Sequence, residues 1–521
     1  MTSAQQGDSA DDAGSVEKGR AGVAVEHLEQ AMRVGLSREE AQLLHDLDPK
    51  EQARIFRKID FHLVPMLMLL YLIANLDRAN IGNAKIEGLE KSLKMTGTDY
   101  NVVTMMFFIP YILLEVPSNS ILLKFKRPST YIGLLVTSWG IVMACHGVVS
   151  SYATLIVCRI LLGALEAGFF PGAVFLLSQW YPPNMTQFRM SLMYVAAAIS
   201  GAFSGLLAAG IAKMSGTGGY EGWRWIFIIE GIATVAAGVL CFLILPDSPS
   251  LSGKWLKAEE IMVVNARDRS TEEAIATNDN AVKTKNVKWT VLFSVLTDWQ
   301  LYLQALIFMS SAVPNYALKF SMPQIILNMG FTNTQAQLLT APPYILGAIS
   351  AVLTSTLADR FTWRLPFIVG PQALVALSYA VLFAKSGSIA REVALCYAFV
   401  HVACIGTYPI VPGANTWTIN NLAGPAKRAM GIAFMICIGN VGGIIGSFIF
   451  RDSEAPTYPT GWGTCLGFVC MGMFAASALE AGYLRINRKR DQLSEEEVRA
   501  RFTDEQLEKM GDRSPLFRYS L

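Results

Sequence analysis

Among the charged side chains inside apolar stretches of this 521-residue chain, an Asp-Arg pair in the first and an Arg and a Glu in the fourth are the most telling: Asp77, Arg78, Arg159 and Glu166. Asp77 and Arg78 are adjacent in Leu76-Asp77-Arg78-Ala79-Asn80, which closes the first apolar stretch, whereas Arg159 and Glu166 lie in the fourth. A charge at the centre of a hydrocarbon layer costs roughly 2.5–3.5 kcal/mol on insertion scales, so such residues usually line the path of an ion or solute. Arginine offers a planar fork of donors that fits a carboxylate. A carboxyl group in a low-dielectric cavity can load and release a proton near neutral pH. Arg159 and Glu166 are seven residues apart, two helical turns, and so share one helix face. The bland alternative is a static ion-pair network that only locks helices together. Buried pairs often add little net stability, which weighs toward a solute path.

Twelve apolar stretches must position these groups, each near the ~20 residues that span a bilayer as a helix. They fall near 61–83, 100–122, 129–148, 151–174, 189–212 and 225–245, then near 300–325, 336–357, 364–384, 391–412, 429–450 and 463–484. The composition agrees: 52% of residues are apolar, 16% are charged and the mean hydropathy is +0.37. An ordinary soluble domain carries about 25% charged residues. The net charge of +2 gives no sign of a nucleic-acid partner. The fold class expected is an all-α membrane protein of 12 transmembrane helices in two six-helix bundles around a central cavity.

The expected organisation is a partly disordered N-terminal segment over 1–55, a bundle over 56–248, a linker over 249–295, a second bundle over 296–485 and a tail over 486–521. An even number of spans puts both ends on one side. Basic flanks at Arg54, Arg57 and Lys58, at Lys124, Lys126 and Arg127, and at Arg485, Arg488, Lys489 and Arg490 make that side cytoplasmic. Lys85, Lys91 and Lys94 run against the rule. Asp48-Pro49-Lys50-Glu51 predicts the start of a surface helix. Ser494 and Glu497 predict a capping box for another, ending near Gly511. Phe170-Pro171-Gly172 and Val411-Pro412-Gly413 occupy matching places in the fourth and tenth stretches. Gly201 and Gly205, and the series Gly439, Gly442, Gly443 and Gly446, do so in the fifth and eleventh. Small residues four apart let helix backbones approach closely. The matches suggest two related halves that rock about a midplane site.

Other residues are weaker candidates. Lys319 lies within the seventh stretch and either helps select an anion or snorkels outward. Asn415 and Asn440 are possible substrate hydrogen-bonders in the second half, with helix packing as the alternative. Tyr71, two turns before Arg78, could stack on an aromatic acid. Glu115 and Glu230 read as structural acids, and His146 and His401 as packing histidines. The eight cysteines lie in or beside apolar stretches without zinc-ligand spacing, so neither a metal site nor a disulfide framework is expected. No phosphate-binding loop, Ser-His-Asp set or cofactor motif occurs, which argues against ATP-driven transport and enzymatic chemistry.

Ala358-Asp359-Arg360-Phe361-Thr362-Trp363-Arg364, after the eighth stretch, resembles the cytoplasmic loop motif of the major facilitator superfamily. The resemblance makes Asp359, Arg360 and Arg364 candidates for a gating loop. The equivalent Leu123-Lys124-Phe125-Lys126-Arg127-Pro128 keeps the basic residues and lacks the Asp. Leu155, Arg159 and Gly163 resemble a second superfamily motif. Within that superfamily the chain is similar to the anion:cation symporters of fungi and bacteria. That likeness rests on Asn75-Leu76-Asp77-Arg78-Ala79-Asn80-Ile81-Gly82, Glu115-Val116-Pro117-Ser118-Asn119, Glu166-Ala167-Gly168-Phe169-Phe170-Pro171-Gly172, Gln179-Trp180-Tyr181-Pro182 and Gly222-Trp223-Arg224-Trp225-Ile226-Phe227-Ile228-Ile229-Glu230-Gly231. It covers about residues 55–490, and the first half looks most like fungal high-affinity nicotinate permeases. The resemblance implies proton coupling at Asp77 and Glu166 and anion binding at Arg78 and Arg159. It implies a plasma-membrane protein whose partners are a small organic anion, protons and the lipid bilayer; the oligomeric state stays open, with a monomer as the expectation. Relatives carry allantoate, pantothenate, biotin or sugar acids, so the anion stays open. An exporter of an acidic metabolite and a non-transporting nutrient sensor are the rival expectations.

Overall fold

The computed structural model describes residues 47–265 and 289–521, apart from Leu123, Lys126, Pro182, Thr362, Gly424, Asp504, Glu505, Glu508 and Lys509. The expected disorder before residue 31, and Arg267, Arg269, Lys283, Lys285 and Lys288 of the linker, lie outside the described residues. All regular structure among the described residues is helical. A hydrocarbon layer offers backbone groups no partner, so an apolar segment must satisfy its N–H and C=O groups within itself.

The first half comprises α1 (Pro49–Ile86), α2 (Asp99–Met105), α3 (Phe108–Leu122), α4 (Pro128–His146), α5 (Tyr152–Glu166), α6 (Phe169–Trp180), α7 (Pro183–Ile211) and α8 (Gly222–Ile244). The second comprises α9 (Trp299–Asn328), α10 (Asn333–Leu338), α11 (Ala341–Arg360), α12 (Pro366–Ala384), α13 (Val393–Asn421), α14 (Pro425–Ile449) and α15 (Pro459–Arg490), followed by the short α16 (Glu495–Arg501). Ten described segments are long and apolar enough to cross a membrane. The other two spans are a broken second one, α2 with α3, and the polar seventh, α9. The fold is the expected twelve-span arrangement of two six-helix bundles.

The chain divides into two compact units. The first takes its described residues from 47–65, 175–187 and 246–265. Here Lys58 pairs with Glu260 at 2.8 Å, Tyr181 donates to Asp60 at 2.7 Å, and Trp255 stacks on His62 and Trp180. The second unit takes 66–174, 188–245 and 285–521 and holds both bundles. In the first bundle α4 packs along α8 and on α5, and α5 on α3. In the second, α9 packs on α13, α14 and α15, and α12 on α13 and α15. The bundles meet where α14 packs on α2 and α3. The glycines act there as their spacing predicts: Gly443 abuts the Phe108 ring, and a Cβ at Gly201 of α7 would sit 2.7 Å from the Tyr344 ring of α11.

Four elements differ from expectation. The helix begun at Pro49, capped by Asp48 accepting from the Lys50 amide at 3.1 Å, is no separate surface helix; it runs on through the first span as α1. Nothing between Lys50 and Phe61 breaks a helix, and Pro65 lies inside it. The fourth span is split after Glu166, and the second at Met106–Phe107. The C-terminal helix has its capping box but stops at Arg501 rather than near Gly511. Residues 511–521 fold back on the second bundle, with Tyr519 stacked on Tyr483 and accepting from Gln300 at 2.9 Å.

Candidate functional site

Three residues of α1 spaced four and three apart, Tyr71, Asn75 and Arg78, line a cavity of about 130 Å³. That spacing is one helical face. From α9 come Asn315, Tyr316 and Lys319, again at helical spacing. Tyr111, Phe170 and Tyr194 complete the first-bundle wall; Thr407, Tyr408 and Asn440 stand on the second-bundle side. The volume is close to the roughly 150 Å³ that accommodates a single benzene ring.

Asp77 and Arg78 are neighbours in sequence, yet one residue is about 100° of helix rotation. They therefore enter different surroundings. The Arg78 guanidinium sends Nε and Nη2 to Glu166 Oε1, each at 2.6 Å, and lies over the Tyr111 ring at 4.7 Å and the Phe107 ring at 5.2 Å. Both residues are buried, and Glu166 Oε2 has no partner among the described residues. The breaks in the second and fourth spans fall beside this pair, at Phe107 and just after Glu166. Discontinuous helices at a midplane site are a recurrent feature of transporters. Asp77 points into the bundle interior, where its Oδ2 accepts from Trp139 at 3.1 Å and Thr234 at 3.2 Å.

Lys319 does not snorkel. Its Nζ, buried on α9, donates to Asn75 Oδ1 at 2.9 Å across the cavity. The Asn75 amide nitrogen donates to the Tyr71 carbonyl at 2.9 Å, which turns its oxygen toward the lysine. The Tyr71 ring lies 5.7 Å from Phe170 and 6.3 Å edge-on from Tyr194. Asn440 lines the cavity, whereas Asn415 stands behind it and donates to the Tyr194 hydroxyl at 3.2 Å. Arg159 is not among the lining residues. It is 2% exposed, its Nε and Nη2 have no partner among the described residues, and it sits 5.9 Å over Phe227. His146 packs on the same ring at 5.4 Å. Asp359 and Arg360 end α11, and the Arg364 backbone donates to the Leu521 carbonyl at 2.8 Å.

At the Ile86 end of α1 the bundles are tied together. Lys85 pairs with Asp452 at 2.6 Å and Glu90 at 3.4 Å, over the Tyr100 ring at 4.1 Å. Tyr100 donates to the Phe320 carbonyl at 2.9 Å, Asn101 to the Ser447 carbonyl at 2.5 Å and Gln337 to Glu87 at 3.0 Å. No group of three or more His, Cys, Asp or Glu suited to a metal occurs among the described residues.

Sequence reasoning did not single out Asn75, Tyr111, Tyr194 or Tyr316. Asn75 was legible, since it lies on the helical face of Tyr71 and Arg78. Tyr316 was legible in the same way, three residues before Lys319 on α9, whereas Tyr111 and Tyr194 come from two further helices and no spacing along the chain marks them.

Among the described residues, helical spans with charged groups meeting at a cavity between two bundles have the architecture of a membrane transporter. Residues 67–447 match the model of the Major Facilitator Superfamily, and the chain belongs to that superfamily. It is similar to the MFS-type transporter cnsO of Penicillium expansum, with 34% identity over 90% of each chain. It is also similar to the high-affinity nicotinic acid transporter of Saccharomyces cerevisiae, with 29% identity over 90% of this chain and 85% of the relative. Among solved structures, a bacterial homologue of the lysosomal transporter Spinster, inward-facing and occupied, shares the fold. Its TM-score is 0.61 at 16% identity, covering 80% of this chain and 95% of that one.

Proposed function

We propose that this protein is a proton-coupled importer of a small organic carboxylate, with a nicotinate-like monocarboxylate as the first candidate. The observation that carries the reading is Arg78 at the cavity wall paired with the buried Glu166, with Lys319 as a second cation lining the same cavity. While Glu166 is ionised it occupies two of the Arg78 donors. A proton on Glu166 removes its charge and releases the Arg78 fork to a substrate carboxylate. Binding of proton and anion then becomes mutually favourable, which is the condition for symport. Tyr71 and Tyr194 offer faces to a planar ring. Asp77 and Glu166 carry protons; Arg78 and Lys319 hold the anion, with Arg159 behind them and Asn440 and Asn415 as polar support. Asp359, Arg360 and Arg364 gate the cytoplasmic side. The two halves, 56–248 and 296–485, rock about the cavity in the plasma membrane with both termini in the cytoplasm, so the Lys85–Asp452 tie closes the outer end.

The test is uptake of labelled nicotinate into cells lacking their own permease, at acidic and neutral pH, with and without an uncoupler. Uncoupler-sensitive accumulation that rises with acidity supports the proposal. No accumulation of any monocarboxylate overturns it. Outward flux would then indicate an exporter, and saturable binding without flux a sensor.

A further inference from the structure

We infer that protons reach the coupling carboxyls by a polar ladder inside the first bundle, separate from the substrate cavity, and that Glu230 is a proton-carrying rung of it. The inference rests on the proposed coupling role of Asp77 and Glu166. Its starting point is a face of α1 turned away from the cavity. Asn83, Asn80 and Asp77 succeed one another at three-residue steps, all buried. Each meets a polar partner on a neighbouring helix. Asn83 donates to the Ser204 hydroxyl of α7 at 2.7 Å, and that hydroxyl reaches Asn80 Oδ1 at 3.4 Å. Asn80 donates to Glu230 Oε2 of α8. One turn further along α8, the Thr234 hydroxyl lies 2.8 Å from the Glu230 carbonyl and 3.2 Å from Asp77 Oδ2. The ladder thus descends from near the Ile86 end of α1 to Asp77, and the next residue, Arg78, holds Glu166.

Asn83 Oδ1, Glu230 Oε1, Asp77 Oδ1 and Glu166 Oε2 all lack a hydrogen-bond partner among the described residues, and three of these four oxygens belong to carboxyls, which can carry a proton; the free oxygens of the Asn101 and Gln337 ties belong to amides, which cannot. Buried polar groups without protein partners are ordinarily served by ordered water, and each such oxygen is costly if left bare. Four residues from α1, α8 and α5, each with one oxygen free, form a wire along which carboxyls and water can pass a proton. The other groups facing this interior are Arg159 of α5 and His146 of α4, both packed on Phe227, one turn from Glu230. None of Asn80, Asn83, Ser204, Asp77 or Glu230 lines the cavity. A substrate in the cavity would therefore leave the proton route open.

The test uses the full-length protein in proteoliposomes with labelled nicotinate as probe. A gradient of about one pH unit supports about tenfold accumulation per coupled proton. Glu230→Gln keeps an oxygen for Asn80 and cannot carry a proton. We expect it to retain counterflow exchange, to lose the roughly tenfold pH-driven accumulation, and to show an uptake rate insensitive to external pH; Glu230→Asp restores part of both. Asn83→Leu removes the entry rung without touching a carboxyl and should slow pH-driven uptake while leaving counterflow unchanged. It serves as the test should Glu230→Gln fail to fold. Full accumulation and a native pH profile in Glu230→Gln, with Asp77→Asn and Glu166→Gln both uncoupled, overturn the ladder and leave the coupling assignment standing. Full accumulation in Asp77→Asn and Glu166→Gln as well overturns both.

Discussion

Replacing Lys319 by Gln should weaken binding of a monocarboxylate by about tenfold to 150-fold. Lys319 Nζ is committed to one protein acceptor, Asn75 Oδ1, and an ammonium has three donors. A carboxylate in the cavity therefore meets an ammonium with donors to spare, while Arg78 is engaged by Glu166. A hydrogen bond to a charged group contributes about 1.5–3 kcal/mol net. At about 1.4 kcal/mol per factor of ten, that range gives the predicted loss. Glutamine is one bond shorter than lysine and keeps an N–H donor on the Asn75 side without the charge, so the change removes the charge with little loss of volume. The assay is equilibrium binding of labelled nicotinate to the purified protein in detergent, with benzoate and benzamide as competitors. Benzoate should lose affinity in the variant and benzamide should not, because the amide brings no charge for Lys319 to meet. A native affinity for the acid, or an equal loss for acid and amide, would refute the reasoning.

Three further outcomes follow from the geometry. Arg159→Lys should leave ligand affinity within about twofold, since Arg159 does not line the cavity, and should lower the melting temperature, because a flexible ammonium replaces a stacked planar fork. A large affinity loss in the same binding assay would put Arg159 in the anion site. Gly140→Val should destabilise the α4–α8 contact by about 1–3 kcal/mol through overpacking, since its Cβ would lie 2.7 Å from the Val235 backbone nitrogen; an unchanged melting temperature would contradict that contact. Glu90, in the loop outside the spans, has its carboxyl raised above the ordinary value by burial, with Lys85 opposing and Asp452 adding. Its contribution to stability is then fully present below the solvated carboxyl value and lost as pH rises through the raised one. Melting curves across that window should fall with rising pH in the native protein relative to Glu90→Gln, and parallel curves would exclude the effect.

The sequence by itself determined the class of fold. Apolar runs of bilayer length leave the backbone no choice but the helix, and twelve of them with a polar interruption in the middle define two bundles. The sequence also marked Asp77, Arg78, Arg159 and Glu166, because a charge is costly in such a run wherever the helix turns it. What it could not assign was direction. The adjacent Asp77 and Arg78 look like one unit in the chain, and only the packing of α1 sends the first toward Trp139 and Thr234 and the second toward Glu166 and the cavity. Arg159 and Arg78 looked equivalent, yet tertiary structure lines the cavity with one and buries the other behind Phe227. Lys319 could equally have reached for the surface; Asn75, 244 residues away, holds it inside. Glu230 read as a helix tie because the other unpartnered oxygens of the ladder belong to residues from two other helices, α1 and α5. Periodicity fixes which residues share a face, but which faces meet is decided by contacts between segments far apart in the chain.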